Sequence, residues 1–439
     1  MDVRSIPLYG SSVRQNPVAA KGTPFVRIPG RCQNQPASLC LSKDTLGRHT
    51  MLIGGTGCGK SNVFYFFVDQ IKRQLEPQDS MIIFDTKGDY YRLFGTGNDL
   101  VMGGGTAFLA RSEKWNIFQE IVADGWEQRA VESNAQEIAW AIFRESITKS
   151  KDPFFPQAAR DLFAALLLCM VEDGRSDLDY RKKYLFNSEL KRALDESTIA
   201  DVRAMIGAHP HFASVLSYIG DGSSGQALGV YAEMIGTVRR LLAPCFGDRG
   251  MFSIRDFVRG AGGKTLFIEY DISLGQTMAP LYSLLFDLAL QEALGRRGPH
   301  GDVYLICDEF RLIPYLQHMD DGLNFGRSLG VKVIAGLQSI SQLTEAYGEH
   351  KGKNLLAGFS SVFAFRPNDG FTRDHIVSLH GRNVVLEQRR TLGNSIQEER
   401  REAHVVEDWD MSGLEVGEAI VSFPYGKPFV YQFDLFRRA

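Results

Sequence analysis

Short apolar runs alternate with segments of helical spacing from residue 50 onward. Residues 50–54 and 81–85 are apolar runs of strand length, and residues 60–75 place apolar side chains at helical intervals. A strand, a helix and a second strand in this order form a βαβ unit, which implies a parallel sheet. We therefore predict an α/β fold for this part of the chain.

The pattern changes between residues 118 and 257, where apolar residues recur at helical spacing with few β-branched runs. This stretch predicts four to seven helices, with segments at 126–143, 157–171, 188–194 and 224–242. Prolines punctuate the segments, as they do at helix boundaries. We predict an inserted all-α domain over residues 121–257.

The alternating pattern then returns. It predicts strands at 265–269, 303–307, 331–335 and 361–365, and helices at 276–294, 319–329, 339–346 and 371–380. Period-two runs near 384–390, 418–423 and 429–433 predict antiparallel strands at the sheet edge. The α/β domain is then discontinuous, formed by residues 1–120 and 258–439, with a basic, turn-rich segment at 1–45.

The amino-acid composition limits the class of protein to which the chain can belong. The 439 residues are 44% hydrophobic and 23% charged with a net charge of -3, which is typical of globular proteins and gives no overall basic field. Residues 1–50 are locally basic, with seven Lys/Arg against two acids. This stretch has two readings, a surface for an acidic partner, phosphate backbone or membrane, and an ordinary solvated segment.

The spacing of the cysteines and the length of the apolar stretches indicate the cellular compartment of the protein. The six cysteines have no zinc-like spacing, which favours a reduced, cytosolic chain. The longest apolar stretch, near residues 163–171, is too short to span a bilayer, so we expect no integral membrane segment. A membrane location would then require recruitment by a partner.

A phosphate-binding motif follows the first predicted strand. Gly54 to Ser61 fit G-x-x-x-x-G-K-[ST], and the flanking strand and helix supply the required context. Glycines let backbone amides wrap around phosphates, and the helix N-terminus adds positive charge. Lys60 suits the β- and γ-phosphates, and the Ser61 hydroxyl suits Mg²⁺. The predicted nucleotide-binding residues are Gly54, Gly55, Thr56, Gly57, Cys58, Gly59, Lys60, Ser61 and Asn62.

Two acids end the predicted strand at 303–307. Hydrolysis of a triphosphate needs a carboxylate near the metal ion and a base that orients water. Asp308 suits the metal, directly or through water, and Glu309 suits the base. Acids at a strand end are common by chance, but their position after a phosphate loop in one α/β chain strengthens the assignment.

Arg327 and Gln338 flank the predicted strand 331–335. A guanidinium at Arg327 could stabilise transition-state charge in a neighbouring subunit's site, and the alternative is a surface arginine near a helix end. Residues just past parallel strands face the ligand crevice, so Gln338 could sense the γ-phosphate or the attacking water. Its alternative is a polar residue at a helix start.

Three further residues follow predicted strands. Asp85 and Lys87 lie at the end of the predicted strand 81–85. Residues Thr86 to Asp89 superficially match the guanine-recognition pattern [NT]KxD, but they come too soon after the phosphate loop for a small GTPase. We expect a structural or phosphate-adjacent role for both. Arg366, after the strand at 361–365, is a second candidate arginine.

The motifs GGTGCGKS, FDTKGD, VYLICDEF, FGRSLG and GLQSISQL occur in this order. The combination resembles the type IV secretion coupling ATPases of the TraD/TraG kind, within the HerA–FtsK class of ring translocases. The resemblance covers residues 45–120 and 262–390 by motif, and the helical insertion by position and character only.

The resemblance implies a RecA-like P-loop NTPase core, mainly a parallel sheet with antiparallel edge strands, and a homo-hexamer that either forms alone or needs DNA. It implies ATP and Mg²⁺ as cofactors, with hydrolysis at subunit interfaces and pumping of DNA or DNA–protein substrates. In this family Lys60 and Ser61 would bind phosphate and Mg²⁺, Asp308 and Glu309 would drive hydrolysis, Arg327 would be the trans-acting finger and Gln338 the γ-phosphate sensor.

One departure separates this chain from the family. Members usually carry N-terminal transmembrane helices, and we expect none here, so a cytoplasmic protein recruited peripherally to the inner membrane by secretion-system or relaxosome proteins is implied. Two functions remain open, a DNA-translocating motor and a nucleotide-switched adaptor that docks protein substrates at a secretion channel. DNA-stimulated ATPase activity would distinguish them.

Overall fold

The computed structural model describes residues 3–19, 21–104, 111–242, 245–297, 300–390 and 396–438. Packing separates the chain into two units. The first holds Met1–Leu75, Tyr304–Arg311 and Leu323–Ala439, and the second holds Glu76–Val303 and Leu312–Gly322. The domain limits predicted from the sequence remain a prediction.

The described residues form strands and helices along the whole chain. The strands are β1 Val3–Gly10, β2 Val26–Cys32, β3 Gln35–Leu41, β4 Thr50–Ile53, β5 Ser80–Asp85, β6 Leu100–Met102, β7 Lys264–Glu269, β8 Val303–Cys307, β9 Val331–Leu337, β10 Ser361–Phe365, β11 Arg382–Arg390, β12 Ile396–His404, β13 Glu418–Ser422 and β14 Phe429–Phe433.

The helices are α1 Lys43–Leu46, α2 Lys60–Arg73, α3 Asp89–Phe94, α4 Ile117–Ile121, α5 Gln128–Lys149, α6 Phe154–Ser176, α7 Leu178–Tyr184, α8 Asn187–Glu196, α9 Ile199–Gly207, α10 Gly225–Leu241, α11 Ile254–Gly260, α12 Gly275–Gly295, α13 Met319–Phe325, α14 Ile340–Tyr347, α15 Glu349–Gly358, α16 Gly370–His380 and α17 Asp408–Ser412. Short 3₁₀ helices cover Ala213–Tyr218, Phe310–Leu312 and Gly326–Leu329.

The first unit is built on strands in the spatial order β3-β2-β14-β13-β10-β4-β9-β8. β4 pairs in parallel with β9 and β10, whereas β13, β14, β2 and β3 extend this group with antiparallel pairs. Every residue of β4 and β9 is buried, which explains why their sequences are mostly apolar; Thr50 and Lys332 are the polar exceptions. The predicted α/β fold with antiparallel strands is confirmed.

The strand predicted near 384–390 exists as β11, but its predicted position at the edge of the main sheet is wrong. β11 lies outside the main strand group and forms a separate three-stranded antiparallel sheet with β1 and β12. β12 has the sequence IQEERREAH, in which alternating apolar residues are missing, so the sequence carried no strand signal there. Pairing with β11 across nine residues supplies its structure instead.

The second unit combines the parallel strands β5, β7 and β6 with helices α3 to α12. Its core includes a hydrogen-bonded network on a buried arginine, Arg255, whose guanidinium reaches Glu137 at 3.2 Å. His318 adds to this network through its Nδ1, which lies 3.0 Å from Asp287, and through its Nε2, which lies 3.6 Å from Glu137.

One helix of this unit concerns the expectation that the chain has no integral membrane segment. α6 is long and apolar enough to cross a bilayer by length and composition, which the shorter continuous apolar run near residues 163–171 did not indicate, so the expected absence of an integral membrane segment stays a prediction. In the structure 72% of its apolar window is buried within the protein. The core helix of a globular protein passes the same test, so this is weak evidence for a membrane span.

Candidate active site

The phosphate loop joins β4 to α2 in the first unit. Two backbone bonds hold its start, from Gly54 N to Leu337 O at 3.1 Å and from Gly55 N to Arg366 O at 2.9 Å. These carbonyls end the neighbouring strand β9 and follow the neighbouring strand β10. The sheet on both sides therefore fixes where the loop begins.

Three glycines in this loop have positive φ, namely Gly54 at its start and Gly57 and Gly59 in its turn. Gly59 has φ of 110° and is the N-cap of α2, and Gly57 has φ of 77°. A Cβ on Gly59 would lie 2.9 Å from the Cα of Gly417, whereas one on Gly57 would meet open space. The loop thus needs glycine at position 59 for both conformation and packing, and leaves free volume beside position 57.

The Lys60 ammonium lies inside this loop. The residue is only 9% exposed, and its Nζ donates to the carbonyls of Gly54 at 2.5 Å and Gly55 at 2.9 Å. Cys58 Sγ is 3.8 Å away. The backbone carbonyls hold one positive charge at the centre of a turn whose helix N-terminus is also positive, which is an arrangement suited to a polyanion.

Ser61 and Asn62 occupy the next two positions of α2, and both are half-buried. Asn62 Nδ2 donates to Asp434 O at 2.9 Å, and Asn62 Oδ1 accepts from Phe436 N at 2.7 Å. The side chain of Asn62 therefore anchors a C-terminal segment beside the loop. Its predicted contact with nucleotide stays a prediction.

The two predicted acids follow β8. A side chain on Gly336 of β9 would collide with the Asp308 carbonyl, so β8 and β9 approach closely at this point. Burial, reinforced by the adjacent Asp308 carboxylate, raises the pKa of the Cys307 thiol well above its usual value. Glu309 pairs with Arg311 at 3.0 Å and is largely shielded from solvent.

Gln338 connects these acids to the phosphate loop. Its Nε2 donates to Glu309 Oε2 at 2.5 Å, and its Oε1 accepts from Thr56 Oγ1 at 3.2 Å. A continuous line of side-chain hydrogen bonds therefore runs from Thr56 through Gln338 to Glu309. The structure brings these three predicted residues together.

Arg327 lies elsewhere in the first unit. It precedes β9, whereas Gln338 follows it, and a strand of this length spans about 20 Å at 3.3 Å per residue. Its guanidinium pairs with Asp44 of α1 at 2.6 Å, with both side chains about half exposed. The Arg327 hydrogen bond lowers the pKa of the Asp44 carboxyl.

Arg366 contributes to the loop through its backbone, and its side chain is exposed. The neighbouring Asn368 was not predicted from the sequence. A Cβ on Gly55 would overlap the Asn368 carboxamide, so this amide lies directly against the loop. A polar residue just past the end of β10 was the available signal, since such positions line the crevice in parallel sheets.

Asp85 and Lys87 belong to the second unit. Asp85 is buried, and burial raises the pKa of its carboxyl against hydrogen bonds from backbone amides. Those amides are Tyr91 N at 2.9 Å and Lys87 N at 3.4 Å, near the start of α3. Asp85 therefore stabilises a helix start, which is the structural one of its two predicted roles, and the Lys87 side chain is exposed.

A buried strand, a glycine-bounded loop around one lysine and acids on a nearby strand define a phosphate-loop protein of the α/β class. The chain belongs to the family of type IV secretion-system coupling protein DNA-binding domains, whose model matches residues 33–431. The predicted family is confirmed.

Individual proteins agree with this assignment. The coupling protein TraD of Escherichia coli (strain K12) is 21% identical over 336 residues, which is 75% of this chain but 43% of TraD, so the chain spans less than half of that relative. The unbound coupling protein TrwBdeltaN70 superposes with a TM-score of 0.71 at 23% identity, covering 91% of this chain and 88% of that one. TrwB in complex with ADP and Mg²⁺ gives 0.70 at 22% identity, covering 95% and 96%.

Proposed function

We propose that this chain is a Mg²⁺-dependent ATPase that moves DNA or DNA–protein substrates. The observation that carries the proposal is the hydrogen-bonded line from Thr56 through Gln338 to Glu309. It links a loop built to bind phosphate with a carboxylate able to orient water, which is what γ-phosphate hydrolysis requires.

Each residue has a role in this proposal. Lys60 would exchange its carbonyl partners for the β- and γ-phosphate oxygens, and Glu309 would accept a hydrogen bond from the attacking water. Gln338 would orient Glu309 and report whether the γ-phosphate is present.

The residues also fit a magnesium ion. The Ser61 hydroxyl and the Asp308 carboxylate supply oxygen atoms, the donor type that Mg²⁺ prefers. When bound, the ion would neutralise phosphate charge. The published complex of TrwB with ADP and Mg²⁺ supports both cofactors for a relative of the same fold.

Arg327 would act on a neighbouring subunit. Its position before β9 puts it at the opposite end of that strand from Gln338, too far for one arginine side chain to reach. The half-exposed guanidinium is accessible to another copy of the chain. A closed ring, a homo-hexamer in this proposal, would give every site one such arginine.

DNA as substrate rests on the family, whose description names a DNA-binding domain, and on the similarity to the coupling protein TraD. We propose a cytoplasmic site of action, with secretion-system or relaxosome proteins as partners that recruit the chain to the inner membrane. The predicted division into a RecA-like core at 1–120 and 258–439 and a helical insertion at 121–257 forms part of the same proposal.

The deciding experiment measures ATP hydrolysis by the purified chain alone, with single-stranded DNA and with double-stranded DNA, alongside its mass in solution. Glu309→Gln serves as the control for contaminating ATPase. A motor is stimulated several-fold by DNA. An ATPase rate that neither form of DNA changes would contradict the DNA-translocating function and favour the nucleotide-switched adaptor.

A further inference from the structure

The order of strands gives the phosphate loop two unlike sides. β9 and β8, which lead to Gln338 and Glu309, lie on one side of β4, and β10, β13 and β14 lie on the other. Because the hydrolytic groups act on the γ-phosphate, the γ end of a bound nucleotide faces the β9 side. The nucleoside end must then leave toward the opposite side.

The loop itself indicates the same direction. In loops of this type the lysine reaches the β- and γ-phosphates, and amides at the start of the following helix hold the α- and β-phosphates. The α-phosphate therefore lies near the residues that follow Lys60, at Ser61 and Asn62. The ribose and base must lie beyond them.

Two segments outside the phosphate-loop motif occupy this place. Gly417 N donates to Cys58 O at 2.8 Å, which holds residues 415–417 against the loop. Asn62 binds the backbone of Asp434 and Phe436, which holds residues 434–436 against the start of α2. The Phe436 ring packs edge-on against Phe66 with centroids 5.1 Å apart, so this segment is fixed by packing as well.

Each segment presents an exposed aliphatic side chain. Val416 is 73% exposed and Leu435 is 77% exposed, although their backbones are held by the contacts just described. The Val416 carbonyl is further fixed by Gln432 Nε2 at 3.2 Å. Large aliphatic groups on ordered backbone beside a polar loop are suited to covering the flat, apolar face of a purine ring.

We propose that Val416 and Leu435 form the nucleoside-binding wall of the site and hold the purine by apolar contact. The assignment rests on the proposed function, since it presumes that the loop binds a nucleoside triphosphate. Apolar packing against the face of a purine depends on its flat surface and not on the polar groups at its edge. Adenine and guanine nucleotides should therefore depend on these two residues alike.

The test compares a nucleotide with its phosphates alone. Binding of a non-hydrolysable ATP analogue, its GTP counterpart and inorganic tripolyphosphate is measured calorimetrically on the full chain with Mg²⁺. Val416→Asn and Leu435→Asn, which remove the apolar contact without adding charge, should each weaken both nucleotides by about tenfold and leave tripolyphosphate within about twofold of wild type. Ile396→Asn, at another exposed aliphatic residue on β12, should change none of them.

The possible results distinguish failure of the nucleoside wall from failure of the proposed function. Unchanged nucleotide affinity in both variants overturns the nucleoside wall, and so does an equal loss for nucleotide and tripolyphosphate, because the loop itself has then been damaged. Retained tripolyphosphate binding demonstrates that each variant is folded at the site. A wild-type chain that binds neither ligand refutes the proposed function rather than the position of the wall.

Discussion

Gln338 donates its amide hydrogen to Glu309 across 2.5 Å while the same side chain accepts from Thr56. This arrangement fixes the orientation of the carboxylate proposed to act as base. Gln338→Ala should lower kcat by about 10²-fold with little change in KM, because the lost contacts orient the transition state rather than bind the ground state. Steady-state kinetics measure this split, and a rise in KM alone would contradict it.

Substitutions of Lys60 and Glu309 should impair different steps, nucleotide binding and hydrolysis respectively. Lys60→Ala removes the cation inside the loop and should abolish nucleotide binding, whereas Glu309→Gln keeps the size of the side chain and should bind nucleotide but hydrolyse it at least about 10²-fold more slowly. Calorimetric binding beside a turnover assay checks both. A Glu309→Gln chain with ordinary turnover would exclude this residue as the base.

Arg327→Ala should bind nucleotide normally and hydrolyse it about 10³-fold more slowly, because the arginine acts on a neighbour. Mixing this variant with Lys60→Ala tests the geometry directly. Random rings of the two have about one quarter of their interfaces complete, one half times one half, so the mixture should regain activity that neither variant has alone. Normal hydrolysis by Arg327→Ala alone would refute the assignment.

Asp44, the present partner of Arg327, provides the matched control for stability. The pair is exposed on both sides, so Asp44→Asn should change the free energy of unfolding by less than about 1 kcal/mol. Chemical denaturation of the two proteins measures the difference. A larger loss would mean that the pair stabilises the fold and would weaken the case that Arg327 is available to a neighbouring subunit.

Two glycines of the phosphate loop should respond unequally to alanine. Gly59→Ala must place a Cβ at φ of 110° and against backbone, so it should cost about 1–3 kcal/mol and abolish nucleotide binding. Gly55→Ala meets the exposed Asn368 side chain, which can move away, and should retain binding. Denaturation curves and nucleotide titrations distinguish the two, and equal losses would contradict this account.

His318 predicts a pH dependence of stability. Burial disfavours its charged form, but the hydrogen bond to Asp287 and the carboxylates of Asp287 and Glu137 outweigh burial and raise its pKa above the ordinary value of about 6.5. A raised pKa in the folded state means that the stabilisation is complete below the unfolded-state pKa. It is lost as the pH rises through the folded-state pKa.

The comparison with His318→Gln measures this contribution. Thermal unfolding of both proteins should differ most near pH 6, by roughly 1–2 kcal/mol, and the difference should shrink toward pH 8 and above. A difference that stays constant across this range would show that His318 contributes by packing alone.

Local signals explain what the sequence could predict. The phosphate loop, the acids after β8 and Gln338 after β9 are each set by a motif or a strand end within a few residues, and the structure places them accordingly. Helix limits in the second unit also follow from apolar spacing, as in α10, which runs over Gly225–Leu241 against a predicted 224–242.

The features that escaped prediction depend on distant residues. β1 is a strand only because it pairs with β11, nearly 400 positions later, and Asn368 lies at the loop only because β10 is the neighbour of β4. The helix α15 was also missed, since its charged and glycine-containing sequence has little apolar spacing. Such relationships arise from tertiary pairing, which a single sequence does not reveal.

The strand order also constrains how the protein can form during synthesis. β4 leaves the ribosome early, yet its two partners β9 and β10 are completed only at Leu337 and Phe365. At typical elongation rates the fully buried, mostly apolar β4 waits about 15–60 s for them. Growing chains that have not reached β10 carry an unpaired, aggregation-prone strand, so we expect synthesis of this protein to depend on chaperones.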